Sequence, residues 1–129
     1  MEPKAKIRIA VVDDERILLR VFSSLMRRFN YEADFYSNPQ KAVDAIVADP
    51  GRYDLVLSDV RMPGMDGVSF ARKVRFLLPD LPIIFMTEDV SDELKSQITG
   101  LGNATLVEKP FPLETTLKEL IPQFLIMRH

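Results

Sequence analysis

Two hydrophobic periods take turns along this chain. Residues 7 to 12, "IRIAVV", are apolar and β-branched, predict a strand, and stop at Asp13-Asp14. A helical period follows, with Ile17, Leu18, Val21, Phe22, Leu25, Met26 and Phe29 predicted on one face and Arg16, Arg20, Ser23, Ser24, Arg27 and Arg28 on the other. Asp13 or Asp14 is predicted to cap that helix, with Glu15 favourable at its N-terminal dipole. A second strand is read over 31 to 36, then a helix capped by Asn38, opened by Pro39 and stopped at Asp49-Pro50-Gly51. "YDLVLS", 53 to 58, is a strand of the fully buried type. A third helix over 66 to 78 turns Phe70, Val74 and Leu77 inward and ends at Pro79. "PIIFMT", 82 to 87, is the fourth strand and "ATLVE", 104 to 108, the fifth.

The helix between those last two strands, about 90 to 100, is thin. Val90, Leu94, Ile98 and Leu101 are its whole apolar stripe, and few anchors mean low local stability. A final helix starts near Pro112, with Leu113, Leu117, Leu120 and Ile121 as its stripe. Pro122 removes a backbone donor and is expected to kink or stop it near Ile121. "QFLIMRH" beyond is apolar for a tail; it could dock on the domain, make a dimer contact or be a linker stub beginning at about 122.

Apolar strands that alternate with helices define an α/β chain whose parallel sheet carries helices on both faces through right-handed crossovers. With no repeat, low-complexity tract or linker inside it, residues 1 to 129 are read as a single domain. The 47% of hydrophobic residues and 28% of charged ones suit a globular fold. A net charge of −2, both signs interspersed, gives no electrostatic ground for direct nucleic-acid binding or for gripping an acidic membrane. There is no cysteine, and the single histidine is His129 at the end, which removes thiolate sites and internal-histidine mechanisms. Apolar runs fall well short of the ~20 residues that cross a bilayer, and no secretory signal is read at the N-terminus, so the expected compartment is the cytoplasm.

Chemistry gathers at the strand ends. In an open parallel sheet, ligands sit outside the carboxyl edge of the strands. Strand 1 ends on Asp13 and Asp14, strand 3 on Asp59, strand 4 on Thr87 and strand 5 on Lys109. Taken singly, each has an ordinary reading as a cap, a turn acid, a strand threonine or a solvated lysine. Together they form a complementary set. Clustered carboxylates repel and must be neutralised by protons or a cation. An oxygen-only set suits a hard ion, Mg²⁺ before any transition metal. One carboxylate, Asp59 as the acid alone on its strand, could then attack phosphorus, while Lys109 and Thr87 hold the remaining phosphoryl oxygens. Met62-Pro63-Gly64 turns the chain away from Asp59, and Asp66 restarts a helix as its cap.

With Asp13-Asp14-Glu15, "DVRMPGMDG" from Asp59, Thr87 and "KPF" from Lys109 in this order, the chain resembles the receiver domain of two-component response regulators over nearly its full length. The resemblance implies a flavodoxin-like (βα)5 fold with strand order 2-1-3-4-5. It implies a signalling switch rather than a metabolic enzyme, one that catalyses only its own phosphoryl transfer and dephosphorylation. Asp59 would accept a phosphoryl group from a sensor histidine kinase or phosphotransfer protein. Mg²⁺ would be held by Asp14, Asp59 and the backbone carbonyl of Arg61, with Asp13 acting through water. Lys109 would pair with the carboxylate or phosphoryl, after a cis Lys109-Pro110 bond. Output, including a homodimer, would use the face made by helix 4, strand 5 and helix 5.

Two positions depart from the family's habit, and two more bear on lifetime. Leu106 stands where an aromatic is usual and is read as a packed side chain that weakens coupling to Thr87. Glu88 follows Thr87 where a small residue is usual and should point outward. Arg61 and Asp89 occupy the positions that tune acyl-phosphate lifetime, either as an ion pair across the site's mouth or as two solvated charges. Two alternatives are weighed against the switch. One is a pseudo-receiver that binds partners without being phosphorylated. The other is an Asp-nucleophile phosphatase, disfavoured because its Asp-x-Asp arrangement on one strand is missing.

Overall fold

The structure is a computed structural model that describes residues 6–61, 64–88, 91–108 and 116–126. Five strands, β1 (Arg8–Val12), β2 (Glu32–Tyr36), β3 (Leu55–Asp59), β4 (Ile83–Thr87) and β5 (Ala104–Glu108), form one sheet in the order β2-β1-β3-β4-β5. Every pairing is parallel. Between them run α1 (Arg16–Arg28), α2 (Pro39–Ala48), α3 (Gly67–Leu77) and α4 (Asp92–Thr99). A π-helical turn, Thr116–Leu120, leads into α5 (Ile121–Ile126). Fold class and strand order are as expected.

The two faces of the sheet bury different halves of each strand. Ile9, Val11, Leu55, Leu57, Ile84 and Met86 pack with Phe22 and Met26 of α1 and Ile121 of α5. Ala10, Val12, Val56, Ile83 and Phe85 pack with α2, α3 and α4 through Ile46, Phe70, Val74, Leu94 and Ile98. Period-2 alternation in strands covered on both sides makes both sets apolar, which is why the strands read as unbroken runs.

Local chemistry sets the helix ends. Asn38 accepts hydrogen bonds from the amides of Gln40 and Lys41, and Asp66 accepts one from Ser69 N at 2.8 Å, so both capping expectations hold. Ser91 caps α4 by accepting from Leu94 N. For α1 the expectation is corrected: the N-cap is Glu15, which makes no side-chain cap bond, while Asp13 Oδ1 accepts from Glu15 N at 2.8 Å just ahead of the helix.

Three other expectations change. The α1 stripe is narrower than its sequence suggests. Phe22 and Met26 are buried, but Ile17 is 80% exposed and Val21 is also exposed, because the sheet covers only one line of the helix. On α3, Phe70 and Val74 face the core, whereas Leu77 at the last turn is exposed. Of the two outcomes expected near Ile121, a stop is not what occurs: the helix changes there from the π turn to α5, which runs to Ile126 with Pro122 in its first turn, where the missing N–H costs least. The expected start of that helix near Pro112, and Val90, Leu113, Met127, Arg128 and His129, lie outside the described residues.

Two polar networks stiffen the frame away from the carboxyl edge. The Arg75 guanidinium donates to the carbonyls of Leu78, Pro79, Leu81, Leu101, Gly102 and Asn103, tying the α3–β4 turn to the α4–β5 turn. Its burial lowers its pKa from the usual arginine range. Near the β2 edge, Asp34 accepts from Arg52 Nε at 2.8 Å and from Tyr53 OH at 2.7 Å, and the Tyr36 and Tyr53 hydroxyls are 2.5 Å apart. Arg8 pairs with Glu32 and approaches Asp34. Burial alone would raise the Asp34 carboxyl, but the Arg52 and Tyr53 bonds and the charges of Arg52 and Arg8 hold it below the usual aspartate range. Burial, then the bonds to Tyr36 and Asp34, pushes Tyr53 up. Among the described residues no helix is long and apolar enough to cross a membrane.

Candidate functional site

The carboxylates meet because two neighbouring strands share a register. Val12 of β1 lies beside Ser58 of β3, so one step further along each parallel strand brings Asp13 beside Asp59. Asp13 is fully buried and Asp59 is 7% exposed, whereas Asp14, already on the way to α1, is exposed. One oxygen from each of Asp13, Asp14 and Asp59 lies within 4.8 Å of the other two. At an effective dielectric near 20, each fully charged pair at that separation repels by roughly 3 kcal/mol. A divalent cation would reverse that cost, and three carboxylates with no histidine or thiolate are the donors a hard ion takes.

Backbone contacts fix the nucleophile candidate. Asp59 Oδ1 accepts from the Arg61 amide at 3.3 Å, and the Ser58 hydroxyl donates to the Asp59 carbonyl at 2.8 Å. The Asp13 amide donates to Tyr36 O at 3.0 Å, and Val60 N donates to Met86 O, so the rim is stitched to both neighbouring strands. Gly64 turns the following loop with φ +84°, a left-handed value that suits glycine. Gly67 then brings α3 back so closely that its amide donates to Val60 O at 2.5 Å. A Cβ at Gly67 would sit 2.6 Å from the Asp59 carbonyl oxygen and 2.7 Å from Val60 Cα. Glycine is therefore a packing requirement of the site.

Thr87 ends β4, next to β3, and is 2% exposed. It follows Met86, the register partner of Asp59, and so reaches one step beyond the carboxylate. Glu88 is exposed, the outward orientation expected of it. Arg61 is also exposed. Leu106 is half-buried, in register with Phe85, and packs against the core on the α2, α3 and α4 side as an ordinary apolar contact. With Lys95, Ile98, Thr99, Ala104, Thr105 and Glu108 it lines a groove of about 430 Å³ between α4 and β5. Lys109, with the Lys109-Pro110 bond, and Asp89 lie outside the described residues; the chain reaches Lys109 directly after Glu108, the register partner of Thr87. The structure thus brings Asp13, Asp14 and Asp59 together and sets Thr87 at the adjoining strand end, while Leu106 packs on the core and Glu88 is exposed.

Two contributors escaped sequence reasoning. Sequence points to Arg61 through its carbonyl and charge, whereas its amide is what binds Asp59, and an amide two residues beyond an aspartate is a common partner for that carboxylate. Gly67 had a legible signal, a glycine directly after a helix cap, but no motif shows how near β3 it must pass.

The profile of the response regulator receiver domain matches residues 9–121. The chain belongs to that family, the receiver domains of two-component signalling, whose members exchange signals with histidine kinases or phosphotransfer proteins. It is 33% identical over 116 residues to the response regulator MprA of Mycolicibacterium vanbaalenii, covering 88% of this chain and 48% of that protein. It is 27% identical over 113 residues to the receiver protein CpdR of Brucella abortus, covering 88% of this chain and 92% of that one. The chemotaxis protein CheY4 of Vibrio cholerae superposes with a TM-score of 0.82 at 29% identity, over 92% of this chain and 98% of that one. The chain thus spans about half the length of MprA, and 14% to 22% of the length of several fungal and plant relatives.

Proposed function

We propose that this chain, acting as one receiver unit over residues 1–129, is a phosphorylation switch in the cytoplasm whose phosphoacceptor is Asp59. One observation carries the reading: three carboxylates from two strand ends converge within 4.8 Å on the carboxyl rim of the sheet. Asp14, Asp59 and the Arg61 carbonyl, with Asp13 behind them, are the groups that would hold Mg²⁺. When bound, the ion offsets carboxylate repulsion and polarises a phosphoryl oxygen. An Asp59 oxygen attacks phosphorus as the bond to the donor's imidazole nitrogen breaks; the bonding pair returns to that nitrogen and, with the other ring nitrogen protonated, a neutral imidazole leaves while an acyl phosphate stays on the chain. Thr87 and Lys109 take the phosphoryl oxygens as hydroxyl donor and point charge. Arg61 and Asp89, the two positions that the family resemblance ties to lifetime, tune how fast the acyl phosphate is hydrolysed.

The phosphoryl group adds about 1.5 to 2 negative charges to the rim. The face made by α4, β5 and α5 reads that change out to a partner or a second copy, and Leu106 beneath the α4–β5 groove makes the coupling to Thr87 weaker than an aromatic would. A phosphatase of the Asp-x-Asp type is disfavoured, because the second residue after Asp59 is Arg61.

Incubation with Mg²⁺ and acetyl phosphate, followed by intact-mass measurement, tests the assignment. Wild type should gain the mass of one phosphoryl group and Asp59→Asn none. A wild type that binds Mg²⁺ but never gains that mass would be a pseudo-receiver, and an Asp59→Asn that gains it equally would refute Asp59.

A further inference from the structure

Among the described residues the exposed large apolar side chains are Ile17, Val21, Val47, Phe76 and Leu77. Phe76, at 88%, is the most exposed of them. With Leu77, Val43, Arg72 and Lys73 it lines a groove of about 400 Å³ between α2 and α3, and Val47, one turn beyond Val43, extends its apolar edge. Two features set this surface apart. It lies far from the phosphoryl rim: Phe76 is nine residues along α3 from Gly67, about 14 Å of helix. Its charge is one-sided, since the groove is lined by two cations and no acid.

The surface is also built in advance. The start of α3 is fixed to β3 by the Gly67–Val60 bond, and its last turns are held by Arg75 across two loops. A patch on so firmly held a helix loses little freedom on binding. A second copy does not fit it well. Two-fold pairing through the same patch would set Arg72 and Lys73 against their own counterparts, and pairing with a different surface would be head-to-tail, which closes only as a ring and otherwise leaves a patch open at the end of the chain.

We propose that the α2–α3 groove docks an amphipathic helix of a partner protein, one whose apolar anchor covers Phe76 and Leu77 and whose flanking acids meet Arg72 and Lys73. This assignment is independent of the phosphoryl reading and survives if Asp59 is never phosphorylated.

The test titrates the ¹⁵N-labelled full chain with two synthetic helical peptides that share one apolar face, one flanked by Glu and the other by Lys, and follows amide shifts. Shifts should concentrate on α2 and α3, with the Glu-flanked peptide binding about fivefold tighter or more. Phe76→Ser should weaken that binding about tenfold. At 88% exposure the side chain holds up little of the fold, so the variant should stay folded. The double variant Arg72→Glu, Lys73→Glu should invert the preference. Equal affinity for both peptides, shifts centred elsewhere, or undiminished binding by Phe76→Ser would overturn the proposal. A dimer of the free chain that Phe76→Ser dissolves would overturn it too, by showing a second copy on this face.

Discussion

Replacing Gly67 with alanine sets two physical effects of opposite sign against each other. Helix propensity alone favours the change by up to ~1 kcal/mol, less at the first helical position. The structure opposes it. The new Cβ would lie 2.6 Å from the Asp59 carbonyl oxygen, 2.7 Å from Val60 Cα and 3.0 Å from Val60 O. All three are backbone atoms of β3 and its exit, so no side chain can swing aside. Relief requires α3 to lift from β3 by several tenths of an ångström, which weakens the Gly67–Val60 hydrogen bond and disturbs the packing of Val68 and Phe70. Overpacking of this kind costs about 1 to 3 kcal/mol, so it should win. Wild type and Gly67→Ala would be compared by urea unfolding and by thermal melting, where a 2 kcal/mol loss corresponds to roughly 5 to 10 °C in a domain of this size. Because the clash is with Asp59, the proposed phosphoacceptor, the rate of phosphorylation by acetyl phosphate should fall alongside stability. An alanine variant as stable as wild type would refute the close-approach argument, and propensity would have decided the outcome.

Other expectations follow from the same coordinates. Arg75→Ala should lose about 1.5 to 3 kcal/mol in urea unfolding, and Arg75→Lys should recover less than half, since one ammonium cannot span two loops; an unchanged midpoint for Arg75→Ala would mean that water replaces the clamp without loss. Mg²⁺ at ~100 times its dissociation constant should stabilise the chain by about 2.7 kcal/mol, reversibly with chelator, and Asp13→Asn should remove most of that gain; an identical shift in the variant would move the ion elsewhere. The Asp34 carboxyl is held below its unfolded value of about 3.9, so its contribution is present above that pH and is lost as pH falls through the lower folded value. Asp34→Asn should therefore flatten the acid limb of stability below about pH 4, and a limb as steep as that of wild type would refute the network. In hydrogen exchange, α4 amides should open about tenfold or more faster than those of α3.

Much of the frame was legible because both periods are strong. The strands lie within two residues of their expected limits, and strand 3 gains Asp59 itself because its pairing with Met86 continues through that residue. The three acids were legible because a charged residue ending a buried strand has few reasons to be there. What escaped was non-local. Arg75 looks like any charged residue on an amphipathic helix, and only two distant turns folding beneath it make it a clamp. Asp34, Arg52, Tyr36 and Tyr53 join across β2 and the entry to β3, a pairing no spacing announces. Ile17 and Leu77 were placed inside because periodicity defines a face but not how much of it the sheet can cover.

The contrast between α3 and α4 decides where added charge can produce movement. The core holds α3 through Val68, Phe70, Ala71 and Val74, with Gly67 and Arg75 fixing its ends. Leu94 and Ile98 are the only buried residues of α4. At about 1.5 to 3 kcal/mol per buried aliphatic side chain, two such anchors supply roughly 3 to 6 kcal/mol. Turning a switch from mostly off to mostly on takes about 5.5 kcal/mol. A phosphoryl group on the neighbouring rim, as proposed, would work against a holding energy of the size a switch needs at α4, and against a much larger one at α3. Leu106 sits under this weak helix and brings no hydrogen-bonding group that could bias its position. If the proposed phosphorylation occurs, its moving part should be α4 on a fixed α2–α3 frame. Amides of α4 that exchange as slowly as those of α3 would remove the basis for it.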